Sequence, residues 1–167
     1  MVALELSDIR DFMNRLLRTE LFDHFLLQEA AITGACGFVI DGRLNRNFYS
    51  EEELQELGLT ECEALPFGML REQCFALIRG KYTPSTFQFI FRLSPENLAR
   101  TLESCHSSFT VNDITGIFMN IRYRDRKLLL TTGVSYRIFS PDKSLEQEWD
   151  RLVMLFLKQN SIPFEKL

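Results

Sequence analysis

The densest run of charge that could do chemistry is "RYRDRK" (Arg122–Lys127). Arg122, Arg124 and Arg126 recur at period two with Lys127 beside them. On a strand this spacing puts three guanidinium groups on one face and Tyr123 on the other. Guanidinium groups grip phosphates and carboxylates through paired N–H donors, so such a face suits nucleic acid or an acidic protein. It equally suits an exposed hairpin that must keep its edges from pairing with other strands. A second set is Arg10, Arg15 and Arg18 in "IRDFMNRLLR" with Arg100 in "SPENLAR", on the polar sides of two expected helices. Their contacts to phosphates would be independent of base sequence and sensitive to salt. Asp11, Glu96 and Glu103 lie among them, as on a solvated face of mixed charge.

Little else is arranged for catalysis. The histidines are His24 and His106, too few for a histidine-rich metal site. Cys105 and His106 are adjacent, but neighbours on a helix point about 100° apart, which keeps a thiolate–imidazole pair from converging. The sequence has no G-x-S-x-G, no glycine-rich phosphate loop and no zinc spacing. Cys36, Cys62, Cys74 and Cys105 form no C-x-x-C pair and read as small thiols in mixed or apolar surroundings. No cofactor or metal is expected.

The elements that would carry these groups follow from periodicity. Val2, Leu4 and Leu6 alternate as in a half-buried strand. Ser7 is expected to cap the next helix, with Asp8 in its first turn and Ile9, Phe12, Met13, Leu16 and Leu17 forming its apolar stripe. Residues 22–45 are ambiguous, since 25–33 suit a helix by propensity. Strands from about Phe25 fit better the breaks at Gly34 and Gly37 and an Asp41-Gly42 hairpin turn. Ser50 with Glu53 makes a capping box for a short acidic helix that stops at Gly58. Another helix is expected from near Pro66 to Gly80, turning Leu70, Cys74, Leu77 and Ile78 inward.

The second half repeats the opening. Phe87, Phe89, Phe91 and Leu93 alternate, Ser94 caps, and Pro95 takes the first helical position. Leu98, Leu102 and Cys105 form the stripe that follows. Residues 114–139 read as two strands joined near Asp125, with Ile117, Met119, Ile121 and Tyr123 on one face. A last helix spans 144–160, where Ser144 with Gln147 would form a second capping box above Leu145, Trp149, Leu152, Val153 and Phe156. The expectation is an α+β fold in one domain of 167 residues. It consists of two tandem β-α-β-β halves (1–45 and 87–140), a helical connection (46–86) and the terminal helix. Chance similarity of two ordinary supersecondary units is the alternative to a true repeat.

At this length a chain buries roughly 70% of its unfolded surface and needs no staple. The composition, 46% hydrophobic and 25% charged with 15 Phe, is that of a soluble globular protein. A net charge of -4 argues against a generally basic polyanion binder but permits a local basic face. Glu5 and Asp8 stand where a signal peptide would be basic and then apolar, and the longest mainly apolar run, 30–40, is far short of the ~20 residues of a membrane span. A cytoplasmic chain with no membrane partner is expected.

Two resemblances add to this. From "LELSDIRDFMNRLL" through "FALIRGKYTPSTFQFIFRLSPENLA" the chain resembles a group of uncharacterised proteins from anaerobic Firmicutes, which brings no activity. The stretch "LSPENLARTLESC…ITGIFMNIRYRDRKLLLTTGVSYRI" is similar to the repeat of bacterial DNA sliding clamps, built from β-α-β-β-β units whose helices face DNA. That resemblance covers about 50 residues. It implies a non-enzymatic protein that binds DNA or a DNA-associated protein through Arg10, Arg15, Arg18 and Arg100, or through Arg122, Arg124 and Arg126. The chain departs from a clamp domain in its 45–86 excursion and its terminal helix. Two other readings stand beside this one. One is a small-molecule enzyme or ligand-binding domain near His24 or His106. The other is an interaction module or homodimer using Phe48, Tyr49 and Phe67.

Overall fold

A computed structural model describes all 167 residues. The strands are β1 (Ala3–Leu6), β2 (Leu26–Thr33), β3 (Gly37–Asp41), β4 (Leu65–Pro66), β5 (Thr86–Arg92), β6 (Ile114–Arg124), β7 (Lys127–Tyr136) and β8 (Phe164–Lys166). The helices are α1 (Ile9–Arg18), α2 (Glu51–Glu56), α3 (Arg71–Ile78), α4 (Pro95–Ser104) and α5 (Ser144–Gln159). The fold is α+β. All strands join one antiparallel sheet in the order β3-β2-β5-β6-β7-β1-β8, with β4 added against β2.

The order β-α-β-β does occur twice along the chain, but the two runs do not each form a sheet of their own. β5, β6 and β7 are neighbours, whereas β1 lies beyond β7 and β2–β3 lie beyond β5. Strand alternation sets which residues face inward. It does not set which strand pairs with which, and here the first run closes around the second.

One face of the sheet is dry. Phe87, Phe89 and Phe91 of β5 stand opposite Tyr123, Ile121 and Met119 of β6, and all but Tyr123 are fully buried. Leu4 of β1 stands opposite Leu130 and extends the same layer. Phe12 and Leu16 of α1, Cys74 of α3 and Leu145, Trp149 and Val153 of α5 close over it. Phe22 centres an aromatic cluster, edge-on to Phe12 and Phe156 at 5.5 Å and stacked on Phe91 at 6.0 Å. Phe67 belongs to this core, fully buried with its ring 5.1 Å from Phe91, so it offers no exposed docking aromatic.

A bulge between Leu27 and Glu29 shifts the alternation of β2 and turns Leu26 to the opposite face. There Leu26, Leu54, Leu59, Cys62 and Ala64 form a small second cluster under α2. The half-buried Arg92 seals its edge, with an ion pair to Glu63 at 2.6 Å and its guanidinium 5.5 Å from the Phe118 ring.

Several local expectations shift by a residue or more. Asp8, not Ser7, caps α1, because its Oδ1 accepts the Asp11 N–H at 2.9 Å. The β2–β3 turn is Gly34–Cys36, closed by Gly34 N–H donating to Cys36 O at 3.0 Å. Gly42 instead ends β3, where a Cβ would sit 1.8 Å from the Leu27 carbonyl oxygen. It is a close-approach glycine rather than a turn glycine. Pro66 is in β4, a short 3-10 turn (Phe67–Met69) follows, and α3 starts only at Arg71. Ser144 is the first residue inside α5 and makes no capping box; its own N–H donates to Asp142 Oδ1 at 2.9 Å. By contrast, Ser50 with Glu53 and Ser94 with Pro95 cap α2 and α4 as expected.

Candidate anion-binding interface

Four chain connections meet at one end of the sheet. Arg124 stands opposite Lys127, leaving Asp125 and Arg126 as the two central residues of the β6–β7 turn, both at positive φ (53° and 63°). A two-residue loop of this hand matches the strand twist. Arg126 is therefore a turn residue and does not continue the Arg122–Arg124 stripe. Phe87 is paired with Tyr123, which brings the 79–85 run into β5 alongside the hairpin. Ser85 N–H donates to Thr33 O at 2.9 Å and fixes that run against the Gly34–Cys36 turn. The end of β1, with Glu5 opposite Leu129, delivers the start of α1 to the same place.

These connections enclose two adjoining clefts. One, of about 410 Å³, lies between α1 and the end of α3 and is lined by Ile9, Arg10, Arg79, Tyr82 and Tyr123 among others. The other, of about 460 Å³, lies on the far side of the Arg79–Ser85 run and holds Arg79, Lys81, Tyr82 and Phe38. Neither is lined by a carboxylate. Tyr82 is 81% exposed, with the Lys81 ammonium 5.6 Å from its ring. Tyr123 is held flat against Phe87 at 4.9 Å.

The charges here are mostly uncommitted. Lys127 pairs with Glu5 at 3.4 Å and Arg124 with Asp125 at 3.4 Å. No ion pair engages Arg10, Arg79, Lys81, Arg122 or Arg126. The free guanidinium groups of Arg10 and Arg79 beside the exposed Tyr82 ring, in clefts lined by no carboxylate, have the chemistry that a phosphate-bearing chain with planar rings requires.

Of the seven arginines expected to bind, Arg10 lines one of the clefts, Arg124 and Arg126 lie at the neighbouring end of the β6–β7 hairpin, and Arg122 lies on the face of β6 opposite Tyr123. Arg18 stands behind them, 5.9 Å from the Phe75 ring that Arg79 also approaches at 5.8 Å. Arg15 is spoken for internally. Its Nε donates to Asp11 at 2.7 Å and its NH1 donates to the Asn160 carbonyl at 2.8 Å, which ties α1 to the end of α5. Arg100 lies on α4, paired with Glu96 one turn away. Arg79, Lys81 and Tyr82 were not among the expected residues. Their signal was the basic, aromatic run "RGKYTP" between a helix and a strand.

The nucleophile candidates gain nothing. Burial pushes the Cys74 thiol up to about 12 and also raises Cys62, so both stay protonated at neutral pH. Cys105 ends α4 and His106 follows at φ 49°. No three His, Cys, Asp or Glu side chains converge as a metal site would need. No helix is long and apolar enough to cross a membrane.

Residues 15–165 match a family of unknown function, DUF5721. The chain belongs to that family. No curated protein and no solved structure matches significantly. The matched segment contains Arg79, Lys81, Tyr82 and the β6–β7 hairpin, while Arg10 precedes it.

Proposed function

We propose that the chain is a cytoplasmic, non-enzymatic protein that holds a polyanionic macromolecule, nucleic acid first, at this end of the sheet. The observation that carries the reading is that three unpaired cations, Arg10, Arg79 and Lys81, and the rings of Tyr82 and Tyr123 line two adjoining clefts that hold no carboxylate. In a chain of net charge -4, such a concentration gives a local attractive field on an otherwise acidic body. The exposed Tyr82 ring offers a stacking surface, which favours single strands over duplex. The reading does not rest on a ring. The clamp resemblance assumed helices laid over separate sheets, and the shared sheet gives it no support.

Fluorescence anisotropy of a labelled single strand and its duplex tests the proposal. With about four phosphates neutralised, single-strand affinity falls roughly 50-fold between about 50 and 200 mM salt. The double variant Arg10→Glu/Arg79→Glu should remove binding, whereas Arg137→Glu, at the other end of β7, should leave it intact. Absence of binding at the lower salt, or equal damage from Arg137→Glu, overturns the reading.

A further inference from the structure

A different cavity, of about 480 Å³, opens between α4 and α5 under the connection from α1 to β2. Met119 of β6 and Leu93 form part of its wall, and Phe25, Trp149, Leu152 and Phe156 supply most of the rest. Its volume falls within the range of pre-formed small-molecule sites. At the ~30 Å³ that a water occupies in the liquid, it holds roughly sixteen non-hydrogen atoms.

Polarity in this cavity is one-sided. Asn97, Arg100 and Ser104 line it from α4 and His24 from the connection, and no carboxylate is in the lining. Among these, the Ser104 hydroxyl is occupied by the Thr101 carbonyl at 2.9 Å. The Asn97 side-chain amide has no protein partner; only its backbone groups are bonded, to Ser94 Oγ and Thr101 Oγ1. Arg100 is held by Glu96 in a pair exposed on both sides, 69% and 73%, so releasing one of its N–H groups costs little. Outside the lining, the Glu148 carboxylate is gripped by Arg151 at 2.8 and 2.9 Å and also accepts from the Ser104 hydroxyl at 3.4 Å.

The geometry points to a binding site for a small amphipathic monocarboxylate, an aliphatic acid whose chain lies along Trp149 and Phe156 and whose head meets Arg100 and Asn97. An apolar body follows from the walls. An anionic head follows from the Arg100 guanidinium and the unpartnered Asn97 amide on one side, the ligand's carboxylate taking the place of the exposed Glu96 on Arg100. This site is separate from the basic end of the sheet, and either can fail without the other.

Trp149 is the only tryptophan of the chain, so its emission reports on occupancy directly. Decanoate, decanol and decylammonium are titrated below their aggregation limits. Decanoate should give a saturable change in emission, with half-saturation at least about tenfold lower than decanol, the equivalent of one charge-assisted hydrogen bond. Arg100→Gln should raise decanoate to the decanol level. Asn97→Phe, a substitution at a half-exposed wall position, should abolish the response while the melting temperature holds. A flat emission signal from folded protein, equal saturation by decanoate and decylammonium, or an unchanged response in Arg100→Gln would each overturn the assignment.

Discussion

The two β-α-β-β runs are written in the same local grammar and meet opposite fates. The second, β5-α4-β6-β7, keeps its strands side by side, each pairing with the next in sequence. The first, β1-α1-β2-β3, is split, with β1 and β2 separated by the whole of the second. Four inter-strand steps lie between them, about 19 Å at the usual spacing. The ten residues of α1 rise about 15 Å, and the Thr19–Phe25 connection supplies the rest. α1 is thus the strut that carries the chain across the dry face, which is why Phe12, Leu16 and Leu17 are buried on it. α4 spans no such distance and carries a thinner buried stripe of Thr101 and Leu102. The difference teaches that a hydrophobic stripe's width tracks what a helix must cross rather than which motif it belongs to.

The largest expected effect breaks the comparison at β1. Leu4 is fully buried between β7 and β8, so Leu4→Ala should cost about 2–5 kcal/mol in urea unfolding. Val39 on the edge strand β3 is 68% exposed, and Val39→Ala should stay within about 0.5 kcal/mol. Equal costs would mean that β1 is not an interior strand. The connecting segment is tested next, by alkali. Cys74 of α3 titrates from an ordinary value of 9.0 up to about 12 because it is buried. Its contribution to stability is therefore complete below pH 9.0 and is lost as pH climbs towards 12. Tyr136, also raised to about 12 by burial, acts in the same direction from 10.0 upward. Melting temperature against pH should fall across that window, and more gently in Cys74→Ala. A flat profile would mean that α3 does not pack as closely as its buried thiol shows.

Much of the element list was legible because it rests on contacts within a few residues. Ser94-Pro95, the Ser50–Glu53 box, the turn at Asp125 and the inward set Phe87, Phe89 and Phe91 depend on neighbouring backbone alone. The misreadings share a cause. Asp41-Gly42 has the chemistry of a hairpin turn, yet Gly42 is needed where β3 passes the Leu27 carbonyl, a contact across strands. Ser144 reads as a cap, but Asp142 arrives first and takes the N–H, leaving the Ser144 hydroxyl buried without a protein partner. Phe67 looked free because nothing nearby in sequence predicts its seat against Phe91. The candidate basic end was legible only in pieces. Arg122 and Arg124 stood out as a cluster, but Arg10 and Arg79 are joined to it by the sheet order, which alternation does not encode.

The smallest expected effect sharpens the comparison at the two helix starts. Both runs read Leu-Ser before a helix, Leu6-Ser7 and Leu93-Ser94. In the second run Ser94 Oγ accepts the Asn97 N–H at 3.3 Å. In the first, Ser7 N–H is committed to the Pro163 carbonyl at 3.2 Å, because β1 pairs with β8 up to Leu6. The helix therefore starts one residue later, on Asp8. Ser94→Ala and Asp8→Ala should each cost about 1 kcal/mol, the usual loss for removing a cap oxygen. Ser7→Ala should cost only about 0.2 kcal/mol, since an exposed hydroxyl with no cap role leaves no N–H unsatisfied. Urea unfolding of the three single variants ranks them. If Ser7→Ala matched Ser94→Ala, the two runs would share a cap as well as a motif, and the one-residue displacement imposed by β8 would be wrong.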